Sequence, residues 1–200
     1  MGLSKIISVF LHPIFMPIIA LYLSLKLIPS IGFAIRPYLN FIYLTMLICT
    51  IILPVISILF LIKKKLVSSL EMSSHQERSI PLLITSIYIA YAYYNLAEIL
   101  TLAPVLKAEL LGAIIILIVA SIISKYWKIS LHMLGVGGVF GVIFSLNTLF
   151  GGLTQVIIIS ILCSGMLGVA RINEKSHNHL QVYIGFVIGF LIEVASILFF

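Results

Sequence analysis

Runs of about twenty apolar residues, nearly free of charge, recur from one end of the chain to the other and limit its fold more than any other feature. A bilayer core about 30 Å thick takes roughly 20 helical residues to cross. The runs cover Ile6–Leu25, Leu39–Ile62, Pro81–Ala103, Lys107–Ser124, His132–Asn147, Leu153–Val169 and Val182–Phe200. They predict an all-α fold, a polytopic membrane bundle of six to seven transmembrane helices, with residues 1–200 forming a single domain. The mean hydropathy of +1.27 excludes an ordinary soluble domain. The first run follows Lys5 as a signal peptide would, but Pro13, Pro17 and the missing small-residue cleavage site mark it as a first, kinked span.

The net charge of +6 could suggest a nucleic-acid partner, but the basic residues stand singly or in one short run, Lys63–Lys65, between apolar segments. That placement fits membrane topology and contact with lipid or phosphate, and no nucleic acid. Cys49 and Cys163 both fall inside apolar runs and are expected to be small buried side chains rather than a disulfide or metal ligands. The chain has no aspartate, which argues against a site built on several hard carboxylates, so neither metal nor cofactor is expected.

With seven spans, Lys5 and the second, fourth and sixth connections share one side. That side holds Lys63, Lys64, Lys65, Arg78, Lys125, Lys128, Arg171 and Lys175, while only Lys26, Arg36 and Lys107 lie opposite. The richer side is expected to be cytoplasmic. The same parity brings His75, Arg78, Ser130, His132, Arg171, His177 and His179 to one membrane face, so three sequence-distant polar groups can meet. Span three carries Tyr91, Asn95 and Glu98 at i, i+4, i+7, either as an interhelical hydrogen-bond seam or as one wall of a polar cavity. Gly137 and Gly141 have the spacing that lets helices approach closely, which places span five at the centre of the bundle. Leu66, Leu70 and Met72 suit a short interfacial helix.

The most informative stretch is Arg171–Gly185, an arginine, two histidines and a glutamine in a polar gap between apolar runs. It reads either as an interfacial anchor or as a site, because ionisable groups at a membrane edge are functional candidates. Two histidines with arginines suit phosphoryl transfer: one attacks phosphorus, the other protonates the leaving alkoxide, and guanidinium forks hold the oxygens.

These residues resemble the type 2 phosphatidic acid phosphatase superfamily of membrane lipid phosphatases. Its third motif, Ser-Arg, five residues, His, three residues, Asp, is similar to Ala170-Arg171, His177 and Gln181 here. Its Pro-Ser-Gly-His motif stands as Ile129-Ser130-Leu131-His132. Its first motif, Lys, six residues, Arg-Pro, is matched only by Arg78 and Pro81, with Glu71 at the lysine position. The resemblance implies a phosphatase-like helical core over residues 78–200. It implies His177 as nucleophile, His132 as acid, Gln181 as the partner of His177, and Ser130, Arg171 and Arg78 as phosphate ligands, while Lys128 or Lys125, by proximity alone, stands in for the absent motif lysine. The implied activity is metal-independent hydrolysis of a lipid or polyprenyl phosphate through a phosphohistidine, in the bacterial cytoplasmic membrane. Gln181 and Leu131 depart from the motifs and leave open a relative that binds a lipid phosphate without turnover. A small transporter using Glu98 is a third reading.

Overall fold

The structure, a computed structural model, describes residues 2–70, 72 and 74–199. Glu71 and Phe200, which the readings above touch, lie outside the described residues. Ten α-helices account for most of the described chain, and it contains no strand. Among the described residues six segments are long and apolar enough to cross a membrane: Ser4–Leu27, Arg36–Lys63, Pro104–Tyr126, Leu131–Phe150, Thr154–Asn173 and His179–Phe199. The chain is therefore an integral membrane protein. A further helix, Ser79–Leu96, has 18 residues, and its tyrosines and asparagine keep it out of that set.

Span one is broken as its prolines require. Helix α1 (Leu3–Phe10) ends before His12, a 3-10 turn covers Pro13–Phe15, and α2 (Met16–Leu27) resumes the crossing. Neither Pro13 nor Pro17 can donate a backbone hydrogen bond, and the His12 ring accepts one from the Ile14 N–H at 3.3 Å. A short helix, α3 (Pro29–Ala34), and a 3-10 turn at Arg36–Tyr38 lead into span two. That span is α4 (Leu39–Leu47), a π-helical turn at Ile48–Ile52 and α5 (Leu53–Lys63). Pro54, without an N–H, accounts for the irregularity, since it cannot bond to the Thr50 carbonyl.

Helix α6 (Ser79–Leu96) pairs antiparallel with α7 (Pro104–Tyr126), and α8 (Leu131–Phe150), α9 (Thr154–Asn173) and α10 (His179–Phe199) complete the bundle. Helix α8 is the most enclosed span and touches α2, α7, α9 and, most extensively, α10. Glycine makes that contact possible. A Cβ on Gly189 would collide with the Leu134 carbonyl, and one on Gly137 with the Phe186 carbonyl. Two backbones in such contact gain dispersion along their length, which drives association where lipid offers no hydrophobic gain.

Several expectations shift. Arg171 lies in the last turn of α9 rather than in a loop, because the helix continues past its apolar run until a C-terminal cap stops it. Residues 66–70 form bends and turns instead of an interfacial helix, tied down where the Ser68 N–H and hydroxyl donate to Glu77 at 3.0 and 2.8 Å. Cys163 is exposed on α9, whereas Cys49 is buried. Tyr91, Asn95 and Glu98 form an exposed face of span three, neither a seam nor a cavity wall. Asn95 donates instead to the Tyr91 carbonyl of its own helix at 2.8 Å and needs no partner across a helix interface.

Candidate functional site

The segment joining α9 to α10 is built from two helix-end motifs placed almost back to back. Lys175 adopts a left-handed conformation (φ 52°) while the Ser176 N–H bonds to the Arg171 carbonyl at 3.2 Å and the Lys175 N–H to Ile172 at 2.9 Å. This is the Schellman arrangement that ends a helix. Two residues later a capping box opens α10. The Asn178 side chain accepts from the Gln181 N–H at 2.9 Å, and Gln181 Oε1 accepts from the Asn178 N–H at 3.2 Å. Only His177 separates the two motifs. The spacing Arg171, five residues, His177, three residues, Gln181 is thus the length of one helix stop and one helix start.

His177 is folded inward, 7% exposed, and its Nδ1–H donates to Gln181 Oε1 at 3.1 Å. The Asn178 N–H can only donate, which assigns that amide atom as the oxygen, and an accepting oxygen in turn assigns the proton to Nδ1 and the lone pair to Nε2. Burial pulls the His177 imidazole down to about 4. The Gln181 hydrogen bond opposes this shift, and Arg171, Arg78 and Lys128 add to it. At neutral pH the ring is uncharged, the state a nitrogen nucleophile requires.

Around it stand groups from other spans. Ser130, fully buried, caps α8 by accepting from the Met133 N–H at 3.5 Å, and its own N–H reaches the Gln181 carbonyl at 3.4 Å. His132 lies one turn into α8, with its Nε2–H donating to the Ser8 carbonyl at 3.1 Å and its ring edge-to-face with His12 at 5.3 Å. Arg171, His12 and His177 all lie within Coulombic reach of His132. Arg78 precedes α6, donates from Nε to the Met72 carbonyl at 3.0 Å and, with Lys128, bears on His177. His75 is taken up by the Ser124 carbonyl at 2.7 Å. The three polar groups therefore do meet at one face. Helices α6, α8 and α10 begin there too, and their N-terminal dipoles favour an anion between them.

Arg171 is already engaged. Its Nη1 donates to Glu174 at 2.5 Å and to the Ser8 hydroxyl at 3.0 Å, and that hydroxyl donates to Glu174 at 3.2 Å. Glu174 therefore neutralises the arginine rather than supporting His177. His179 is exposed and stacks on Tyr183, away from His177. Among the described residues, no three of His, Cys and Glu gather as metal ligands.

A cavity of about 170 Å³ opens beside this face. His12, Met72 and Arg78 line its outer end, and its walls are apolar down to Glu109 and Glu193. Both glutamates are buried, at 4% and 3% exposure. They are the residues that sequence reasoning missed, together with Ser8 and Asn178. The signal was present, since glutamates are few and these two interrupt apolar runs.

No family model, curated protein or solved structure matches the chain.

Proposed function

We propose that this chain is a membrane phosphatase acting on a lipid or polyprenyl phosphate or diphosphate without a metal, in the bacterial cytoplasmic membrane. The observation that carries the reading is His177: buried, uncharged, its Nδ1–H held by Gln181, and surrounded by Arg78, Lys128 and Arg171 from three separate segments. In the first step the Nε2 lone pair of His177 forms a bond to phosphorus as the ester P–O bond breaks. The lipid alkoxide leaves with the Nδ1 proton of a His132 imidazolium, a state the bound phosphate anion favours, while its Nε2–H stays on the Ser8 carbonyl. Water then adds to phosphorus and gives its proton to His132 Nδ1 as the P–N bond breaks, and inorganic phosphate departs with both histidines restored. The cationic side chains and the helix N-termini stabilise charge on the equatorial oxygens, Ser130 acting through its cap of α8.

A second reading keeps the site and omits turnover. It is favoured by the Arg171–Glu174 pair, which occupies one phosphate ligand, and by Gln181, which cannot stabilise charge on the imidazole as a carboxylate can.

The test is phosphate release by the purified chain in detergent with EDTA. Phosphatidic acid, phosphatidylglycerol phosphate and undecaprenyl diphosphate are each assayed with the wild type and with His177→Ala. Release that survives EDTA and is lost in the variant supports the phosphatase. Folded protein that binds one of these lipids and releases nothing supports the binding relative.

A further inference from the structure

We infer that the cavity below the phosphate face seats the chain of the bound lipid, and that Glu193 at its inner end reads a hydroxyl carried on that chain. This rests on the lipid-phosphate reading above and names the class of lipid.

The outer end of the cavity adjoins the polar face, and of the proposed phosphate ligands Arg78 lines it. Arg78 and His12, which line its outer end, belong to the same polar face as His132 and His177. Below them the walls are apolar, supplied by residues such as Leu82, Ile89, Leu134 and Val142 on α6 and α8. Such a lining suits hydrocarbon and offers nothing to a free phosphate or a sugar.

The inner end is different. Glu193 comes from α10 and lies against Gly112 of α7 and Gly141 of α8. A Cβ at Gly112 would stand 2.5 Å from its carboxyl oxygen, and one at Gly141 would stand 2.8 Å from its Cβ. The carboxyl thus occupies a slot that only glycines leave open. Its Oε1 is buried and has no hydrogen-bond partner. Glu109 lines the same end, but the Ser24 hydroxyl bonds to its Oε2 at 2.7 Å. A buried carboxyl without a partner costs free energy, and since Oε1 is sealed even from water, Oε2, beside Gly138, is the oxygen that meets the cavity.

Depth sets where the partner must lie. Glu193 is level with Gly138 and Gly141 of α8, six and nine positions after His132. At the helical rise this is about 9 to 13 Å below the phosphate face. The chain therefore carries its hydroxyl about 10 Å from phosphorus, within the hydrocarbon and beyond the head group. A hydroxyl suits the site because it can donate to Oε2 and adds no charge to an apolar cavity.

The test compares two single-chain alkyl phosphates of equal length, one with a secondary hydroxyl about 10 Å from phosphorus and one without. Binding to the full chain in detergent is read by thermal shift, and phosphate release is read separately. The wild type is expected to bind the hydroxylated probe about tenfold more tightly, the worth of one buried hydrogen bond. Glu193→Leu should lose that preference while still binding the plain chain. Glu193→Gln, which keeps the shape and an acceptor oxygen, should retain part of it and serves if the leucine variant does not fold. Equal affinity of the wild type for both probes overturns the inference, as does an undiminished preference in Glu193→Leu or, if that variant does not fold, in Glu193→Gln. A preference that depends on Glu193 without any phosphate release sustains the chain seat and sinks the phosphatase reading alone.

Discussion

Replacing Gln181 with glutamate places a negative charge at the atom that now accepts the His177 Nδ1–H at 3.1 Å, with almost no change in shape. The capping box survives, because a glutamate oxygen accepts from the Asn178 N–H as well as an amide oxygen does, and acidic residues suit the first turn of a helix. Burial now holds His177 at about 4. An opposite charge at hydrogen-bond distance moves a titrating group by about 1 to 3 units, and Arg171, Arg78 and Lys128 will draw part of that field. A rise of one to two units is therefore expected, to between about 5 and 6. At about 1.4 kcal/mol per unit, positive charge on the ring gains about 1.4 to 2.7 kcal/mol. The step that places such charge there, attack on phosphorus, should then run about 10 to 100 times faster. Titration of imidazole-labelled protein in micelles reads the first quantity, and phosphate release from a lipid phosphate reads the second. A His177 titration that stays at about 4 or falls would refute the assignment of Gln181 as its electrostatic partner. A titration that rises while release stays unchanged would refute His177 as nucleophile.

Two further outcomes follow from the same geometry. Because folded His177 is held at about 4 against an ordinary 6.5, the unfolded chain takes up a proton that the folded chain refuses between those values. Stability should fall by roughly 3 kcal/mol as pH drops through that window. His177→Asn should lack this component in thermal melts run from pH 7.5 to 4, and parallel curves for the two proteins would contradict it. At the α8–α10 contact, Gly189→Ala drives a Cβ into the Leu134 carbonyl, where backbone cannot yield, and should cost about 3 kcal/mol or more. Gly165 has open space around it, and Gly165→Ala should change the melting midpoint little, so equal effects of the two substitutions would refute the close-contact account.

The spans were legible because each is a one-dimensional property, a run of apolar residues long enough for a bilayer. Their ends were less so. Arg171 looked like loop because it is charged, yet α9 ends where Lys175 takes a positive φ, a feature of the backbone and not of polarity. The convergence of residues 78, 128, 132, 171 and 177 followed from parity alone, since alternate connections must lie on one side. What parity cannot give is rotation about each helix axis. Tyr91, Asn95 and Glu98 share a face, and that face turned outward. Glu109 and Glu193 sit singly in apolar runs, and their meeting depends on helix rotation that no spacing encodes. The pairing of Arg171 with Glu174, three residues on, was within reach of helical spacing, but its competition with an incoming anion becomes visible only with Ser8 in place.

The glycine contact between α8 and α10 also acts as a fulcrum. His132 and Ser130 sit at the start of one helix, and His177 and Gln181 at the start of the other. Gly137 is five positions beyond His132, about 8 Å along the axis. A pivot of about 7° at that point would therefore swing one histidine past the other by about 1 Å, a displacement that costs on the order of 100-fold in a reaction needing aligned groups. Close backbone contact permits no such play, so the glycines that hold the two helices together in lipid also set the alignment tolerance of the two histidines.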